Sequence, residues 1–513
     1  MTDNTVEIST GKLRGTYTQG IHAYKGIPYG GPTGGKNRFQ PPVPVESWAG
    51  VKEANGYGQA CWQPADISPQ SYTFMGAVGL SLMGEDCLVL NVWSPGLNDN
   101  RKRPVMVWLH GGGFFVGSGD HLPCFDGASL AKSGDVVVVS LNHRLGVFGY
   151  LYLDEIAGDR YKGSGNAGML DIVQALKWVR DNITVFGGDP GNVTVFGQSG
   201  GGAKVTALLA MPAAKGLIHR AVSQSGPGMK ERPAEGATQV ARQYLGAFGL
   251  KPNQLERLHE MRTDMVYSGW AAMTPSVGMP FGHFAPVVDG KVLPVQPFDP
   301  VAAPTAADVP LMIGTNKDEV LFMLMRQPEL KTCDENLMRK TLIERSRFEP
   351  GGINAPLERI DDLISVYRRT RPQASPFDRL IAMLTDQKRA AAISVAERKT
   401  AAGHAPAYMY MFTWESPFLG GAVKSCHGLE LPFVFNNVEP TGMIGNGPER
   451  FKLAEKISAT WISFARNGNP NHKGIPNWPA YESGKRATMM LNLQCQMQED
   501  PHPEERKIWE EIG

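Results

Sequence analysis

The apolar positions of this chain gather into short, unbroken runs. Val105-Met106-Val107-Trp108-Leu109 and Asp135-Val136-Val137-Val138-Val139-Ser140 are rich in β-branched residues and bounded by Gly or polar residues. Such runs predict strands buried on both faces, which need no polar side to alternate with. Asn192-Val193-Thr194-Val195-Phe196 alternates instead, and the strand-like Pro310-Leu311-Met312-Ile313-Gly314 runs into the polar Thr315-Asn316-Lys317-Asp318-Glu319. Between strands, Leu170-Asp171-Ile172-Val173-Gln174-Ala175-Leu176-Lys177-Trp178-Val179 sets Ile172 with Leu176 and Leu170 with Val173 at helical spacing. Strand, helix and strand in succession predict a large, mostly parallel central sheet flanked by helices, with its chemistry at the carboxyl ends of the strands.

Pro and Gly are spread along all 513 residues, without a repeat, a low-complexity tract or a block of like charge. This predicts one α/β domain over residues 1–513 with a large core. Lys plus Arg total 51 against 50 Asp plus Glu, a net charge of +1, so no overall field draws the protein to nucleic acid or to anionic lipid. The expected partner is a small, near-neutral molecule, and the expected state a monomer or weak homo-oligomer. The opening Met1-Thr2-Asp3-Asn4-Thr5-Val6-Glu7 is acidic where a signal peptide is basic, and no apolar run has the length of a membrane span. A cytoplasmic location without a membrane partner is therefore expected. Six cysteines form no disulfide framework at this length, and neither C-x-x-C nor H-E-x-x-H occurs, so no metal and no other cofactor is expected.

Phe196-Gly197-Gln198-Ser199-Gly200-Gly201 follows the alternating run at once and reads as a strand turning sharply into a helix. With 59 glycines in the chain, Gly-x-Ser-x-Gly can arise by chance. Here it occurs once, in the strand-to-helix setting that puts a serine hydroxyl at the apex as a nucleophile. His110-Gly111-Gly112-Gly113-Phe114 follows the Val105 strand. Consecutive glycines let two amides point into one small space, where they stabilise an acyl oxyanion. Gly112, Gly113 and Gly200 are the predicted donors, and Phe114 and Phe115 the candidate lining of an apolar substrate pocket.

The nucleophile needs a base and an acid. With nucleophile, acid and base in that chain order, His404, His427 and His472 are the candidate bases. His427, in Ser425-Cys426-His427-Gly428-Leu429-Glu430, is the best placed, because a Gly-containing loop precedes an apolar segment. Asp318 and Glu319 are adjacent after the Leu311 run, and their positions alone do not separate them as the acid.

With these parts in place, the chain resembles the type-B carboxylesterase and cholinesterase family of α/β-hydrolases. Glu85-Asp86-Cys87-Leu88-Val89-Leu90-Asn91-Val92-Trp93-Ser94-Pro95 is similar to one family signature, and Phe186-Gly187-Gly188-Asp189-Pro190 through Gly201 to the other. Tyr24-Lys25-Gly26-Ile27-Pro28-Tyr29 and Phe464-Ala465-Arg466-Asn467-Gly468-Asn469-Pro470-Asn471 extend the likeness to both ends. The resemblance implies an α/β-hydrolase fold, a triad of Ser199, Glu319 and His427, and hydrolysis of neutral, small-to-medium carboxylic esters through an acyl-enzyme. It also implies buried ion pairs of Arg38 with Glu85 and of Arg144 with Asp171, and a supporting serine at Ser225. Cys61 and Cys87 resemble the ends of a loop that secreted members close with a disulfide, a bond not expected in a reducing cytosol.

Several positions depart from the family pattern. Gln198 stands where Glu is common, and Ala77 where cholinesterases carry their choline-binding tryptophan. Without an aromatic face and with less negative charge, a quaternary ammonium loses its main attraction, which argues against a cholinesterase. Asn182-Ile183-Thr184 and Asn192-Val193-Thr194 match glycosylation acceptors, read here as accidental. Two alternatives are a carbamate or anilide amidase on the same triad and a non-catalytic binding protein, which the intact triad disfavours.

Overall fold

A computed structural model describes residues 4–63, 82–273, 283–325, 327–346, 355–439 and 441–512. Eleven described strands form one sheet: β1 (Thr16–Thr18), β2 (Ile21–Pro28), β3 (Val89–Ser94), β4 (Arg103–Leu109), β5 (Val137–Leu141), β6 (Gly188–Gln198), β7 (Arg220–Gln224), β8 (Leu311–Asn316), β9 (Ala407–Phe412), β10 (Ala487–Leu491) and β11 (Gln496–Glu499). The spatial order is β11-β10-β9-β8-β7-β6-β4-β5-β3-β2-β1. Strands from β5 through β4, β6, β7, β8 and β9 to β10 run parallel. The two edges are antiparallel, β1 to β3 on one side and β11 on the other. The expected mostly parallel sheet is thus present, and β4, β5, β8 and β9 are buried at every position.

Alternate residues of the central strands enter opposite core layers. Val105, Val107 and Leu109 pack in one cluster with Ile172, Val173 and Leu176 of α1 (Ala167–Asn182). Met106 and Trp108 enter the other, with Phe196, Val222 and Met312. Trp108 touches Phe125, Phe196 and Phe435 there at centroid distances of 4.9–5.1 Å, and aromatic pairs of this kind contribute about 0.5–1.5 kcal/mol beyond their buried area. Thr194, which gives the β6 sequence its alternating look, is as buried as its apolar neighbours. β6 is a central strand covered on both sides, so the alternation has no solvent face to report.

Three further helices matter for the site. α2 (Gly200–Leu208) leaves β6 after a single residue, α3 (Pro376–Ala401) packs on β8 and β9, and α4 (Glu449–Asn467) covers β4 and β6. α3 starts where its geometry requires: Pro376 needs no N–H in the first turn, and the Ser375 side chain accepts from the Asp378 N–H.

Two buried ion pairs fasten the flanks. Arg144 meets Asp171 through Nη2–Oδ1 at 2.6 Å and Nε–Oδ2 at 2.8 Å, tying the segment after β5 to α1. Arg38 grips Glu85 in the same two-pronged way at 2.6 and 2.7 Å. Its Nη1 also donates to the carbonyls of Leu258 and Met261. Both pairs are those the family resemblance implied.

Candidate active site

Ser199 sits alone between β6 and α2, at φ 58° and ψ −124°. A non-glycine residue there costs of order 1–3 kcal/mol and persists only where its surroundings hold it. The Ser199 N–H donates to the Gln224 carbonyl at 2.7 Å, and its own carbonyl accepts from Ala203 N–H at 3.1 Å. The flanking glycines are demanded by close approach. A Cβ on Gly201 would lie 2.0 Å from the Leu109 carbonyl oxygen, and one on Gly197 2.5 Å from the Gly201 carbonyl.

The glycine loop after β4 lies against this elbow. A Cβ on Gly111 would come 3.5 Å from Ser199 Cβ, and one on Gly200 2.4 Å from the Gly113 nitrogen. Gly112 and Gly113 take φ 87° and 63°, the left-handed region that glycine enters freely. Among the described residues no backbone acceptor takes the N–H of Gly112 or Gly113, and Gly200 opens α2, where an N–H has no partner within the helix. Among the described residues these three N–H groups thus lie on the elbow and on the loop packed against it, with no backbone acceptor for them. Phe115 is buried with its ring over Gly113. Phe114 is half-buried, edge-on to Tyr150 at 5.3 Å.

His427 is brought to the elbow by a cross-linked pair of loops. Asp318 N–H donates to the Ser425 carbonyl at 3.0 Å, Ser425 N–H to Asp318 Oδ2 at 3.2 Å, and the Asn316 side-chain amide to the Cys426 carbonyl at 2.7 Å. The His427 ring bridges two partners: Nδ1 meets the Glu319 carboxylate, and Nε2 lies 3.0 Å from the Gln198 amide nitrogen. One tautomer satisfies both contacts. Nδ1–H donates to Glu319, and the Nε2 lone pair accepts from the Gln198 amide, so the basic nitrogen faces the elbow.

Glu319 is fully buried, and its second oxygen accepts from Asn316 N–H at 2.7 Å. Burial works to raise its pKa, but the facing His427, with Lys388 and the nearby Ser225 hydroxyl, brings the net shift below the ordinary value. It is held as a carboxylate. Asp318, its neighbour in sequence, is spent on the Ser425 backbone. His404 pairs with Asp308 at 2.9 Å and His472 with Thr460 at 3.0 Å. Of the residues left open by position, Glu319 and His427 meet each other, while Asp318, His404 and His472 have other partners.

A second buried carboxylate stands behind the first. Glu430 accepts from the Asn316 amide at 2.7 Å and the Gln224 amide at 3.1 Å, and Gln224 accepts in turn from Trp461 Nε1–H at 3.1 Å. Burial, with the charge of Glu319, pushes its pKa up to about 7. Neither this network nor Lys204, whose ammonium reaches the glycine loop, was foreseen. Their only signals were spacings of three residues from His427 and five from Ser199.

Other expectations are placed as follows. Cys61 and Cys87 are buried thiols, the second hydrogen-bonded to the first. Asn182 is buried and bonds Trp178, so it is no glycan acceptor. Ala77 lies outside the described residues. No helix among them is long and apolar enough to cross a membrane, and they contain no group of His, Cys, Asp and Glu fit to hold a metal ion.

Comparison with known proteins finds relatives along nearly the whole chain. A family model described as the carboxylesterase family matches residues 2–509. The para-nitrobenzyl esterase of Bacillus subtilis (strain 168) is 37% identical over 99% of this chain and 98% of that protein. The phenmedipham hydrolase of Pseudarthrobacter oxydans is 32% identical, covering 94% of each. Among solved structures, a Geobacillus stearothermophilus carboxylesterase superposes with a TM-score of 0.83 at 36% identity, over 99% of this chain and all of that one.

Proposed function

This chain belongs to the carboxylesterase family, and on that footing we propose that it hydrolyses neutral, small-to-medium carboxylic esters through Ser199, His427 and Glu319. The observation that carries this reading is the His427 ring, held between the Glu319 carboxylate on one side and the elbow residue Gln198 on the other. Ser199 attacks the ester carbonyl while His427 Nε2, exchanging the Gln198 amide for the serine hydroxyl, takes its proton, and the imidazolium is stabilised by buried Glu319. The N–H groups of Gly112, Gly113 and Gly200 receive the negative charge that develops on the carbonyl oxygen. His427 then protonates the departing alcohol, and a water repeats the sequence on the acyl-enzyme to release the acid.

The half-buried Phe114 supplies apolar wall beside the loop, with Phe115 behind it. Gln198 is neutral and spends its amide on His427, so the elbow offers no charge to a cationic alcohol. The six cysteines, all buried and none in a disulfide, support a reducing, cytoplasmic setting.

The test is a matched panel of para-nitrophenyl esters, para-nitroanilides and choline esters. Short neutral esters should be cleaved with the highest kcat/KM. A preference for the anilide over its matched ester, or for a choline ester over its neutral isostere, would overturn the assignment of substrate class.

A further inference from the structure

Lys204 is the only charged residue of α2, and it is fully buried. No carboxylate among the described residues pairs with it. Its ammonium donates instead to two backbone carbonyls of the glycine loop, His110 at 3.0 Å and Gly113 at 2.8 Å. Burial pushes its pKa down to about 7, and the charge in turn helps to keep the buried His110, His121 and His143 neutral.

The loop's other carbonyls are also taken. Gly111 O accepts from His110 Nδ1–H at 2.8 Å, Gly112 O from Val116 N–H at 3.1 Å, and Phe114 O from Gly146 N–H at 2.7 Å. Within a planar trans peptide the C=O and N–H point in opposite directions, so fixing one aims the other. The two peptides that Lys204 grips, 110–111 and 113–114, bracket the two that carry the N–H groups of Gly112 and Gly113. Three successive glycines have the greatest backbone freedom of any tripeptide. An oxyanion hole works only if that freedom is removed before reaction.

We infer that Lys204 is the positioning residue of the oxyanion loop: its ammonium clamps the His110 and Gly113 carbonyls and so holds the Gly112 and Gly113 N–H groups where the oxyanion forms. This rests on the reading of those groups as oxyanion donors. The clamp comes from the same helix that begins at the nucleophile. Donors and nucleophile are therefore set relative to one another by one rigid element.

The test compares wild type with Lys204→Met, which keeps the bulk and removes charge and donors, and Lys204→Gln, which keeps one donor. Active sites are first counted with an irreversible organophosphorus probe, so that kcat is read per competent site. For Lys204→Met, kcat should fall by about 10²-fold, the scale of losing one oxyanion donor, with KM within threefold. Affinity for a trifluoromethyl ketone, which binds as a tetrahedral adduct, should weaken by the same factor as kcat/KM. Lys204→Gln should lose about tenfold in both, and decides the question alone if the Met variant does not fold. Either folded variant matching wild type within threefold, or losing kcat without losing ketone affinity, would overturn the inference. Wild type that takes no label at Ser199 would instead overturn the underlying reading.

Discussion

Replacing Glu319 by glutamine changes one atom in a fully buried position and should disable the base without disturbing the fold. The two carboxylate oxygens serve two different donors: Oε2 faces His427 Nδ1–H, and Oε1 accepts from the Asn316 backbone N–H at 2.7 Å. A glutamine has one oxygen to offer. If it faces His427, its NH₂ opposes the Asn316 N–H, and a buried backbone donor left unpaired costs about 1–3 kcal/mol. The amide therefore turns its oxygen to Asn316 and its NH₂ to His427. Nδ1 must then carry the lone pair and Nε2 the proton, with the Gln198 amide turned to offer its oxygen, so the nitrogen at the elbow can no longer accept a proton. An amide replacement that imposes the wrong tautomer on a serine protease triad lowers kcat by about 10⁴, or roughly 5 kcal/mol. The expected result for Glu319→Gln is a loss of that order in kcat on a chromogenic ester, with KM within threefold and wild-type circular dichroism. A folded variant retaining a tenth or more of wild-type kcat would refute the tautomer argument.

Two other substitutions test the frame. Asp171→Asn leaves the fully buried Arg144 guanidinium without its counter-charge, and breaking one side of such a pair costs about 3–5 kcal/mol; a shift below 1 kcal/mol in urea denaturation would show that the pair is not holding α1. Glu430→Gln tests the second carboxylate through the pH dependence of stability. Its folded-state pKa of about 7 stands above the ordinary 4.5, so between those values the native chain keeps a proton that the unfolded chain has released. Its contribution to stability therefore falls as pH rises through that window, by up to about 3 kcal/mol. The variant should gain on wild type by a corresponding amount from pH 4.5 to 7, whereas a constant difference would contradict the assignment.

Legibility in the sequence followed how local each constraint is. The elbow and the glycine loop were readable because their geometry is backbone geometry. Ser199 at positive φ, Gly201 against the Leu109 carbonyl and Gly112 at φ 87° each leave a mark in a few adjacent letters. The central strands were readable for a similar reason, since burial on both faces writes a continuous apolar run. The proposed base and acid are 108 residues apart; a Gly-containing loop favoured His427 over His404 and His472, but no local pattern distinguished Glu319 from Asp318. Family resemblance made that choice, and the loop pairing of Asp318 with Ser425 supplies its physical reason. Lys204 and Glu430 were invisible because nothing near them in sequence shows that they are buried. A lysine on a helix reads as solvent-facing until the glycine loop arrives from nearly a hundred residues away.

The most direct measurement is intact-mass analysis after exposure to an organophosphorus probe, followed by peptide mapping. One adduct per chain is expected, on the peptide containing Ser199, with ester hydrolysis lost in proportion to labelling and no adduct on Ser199→Ala. Stoichiometric labelling at another residue, or full activity in a chain labelled at Ser199, would contradict the account.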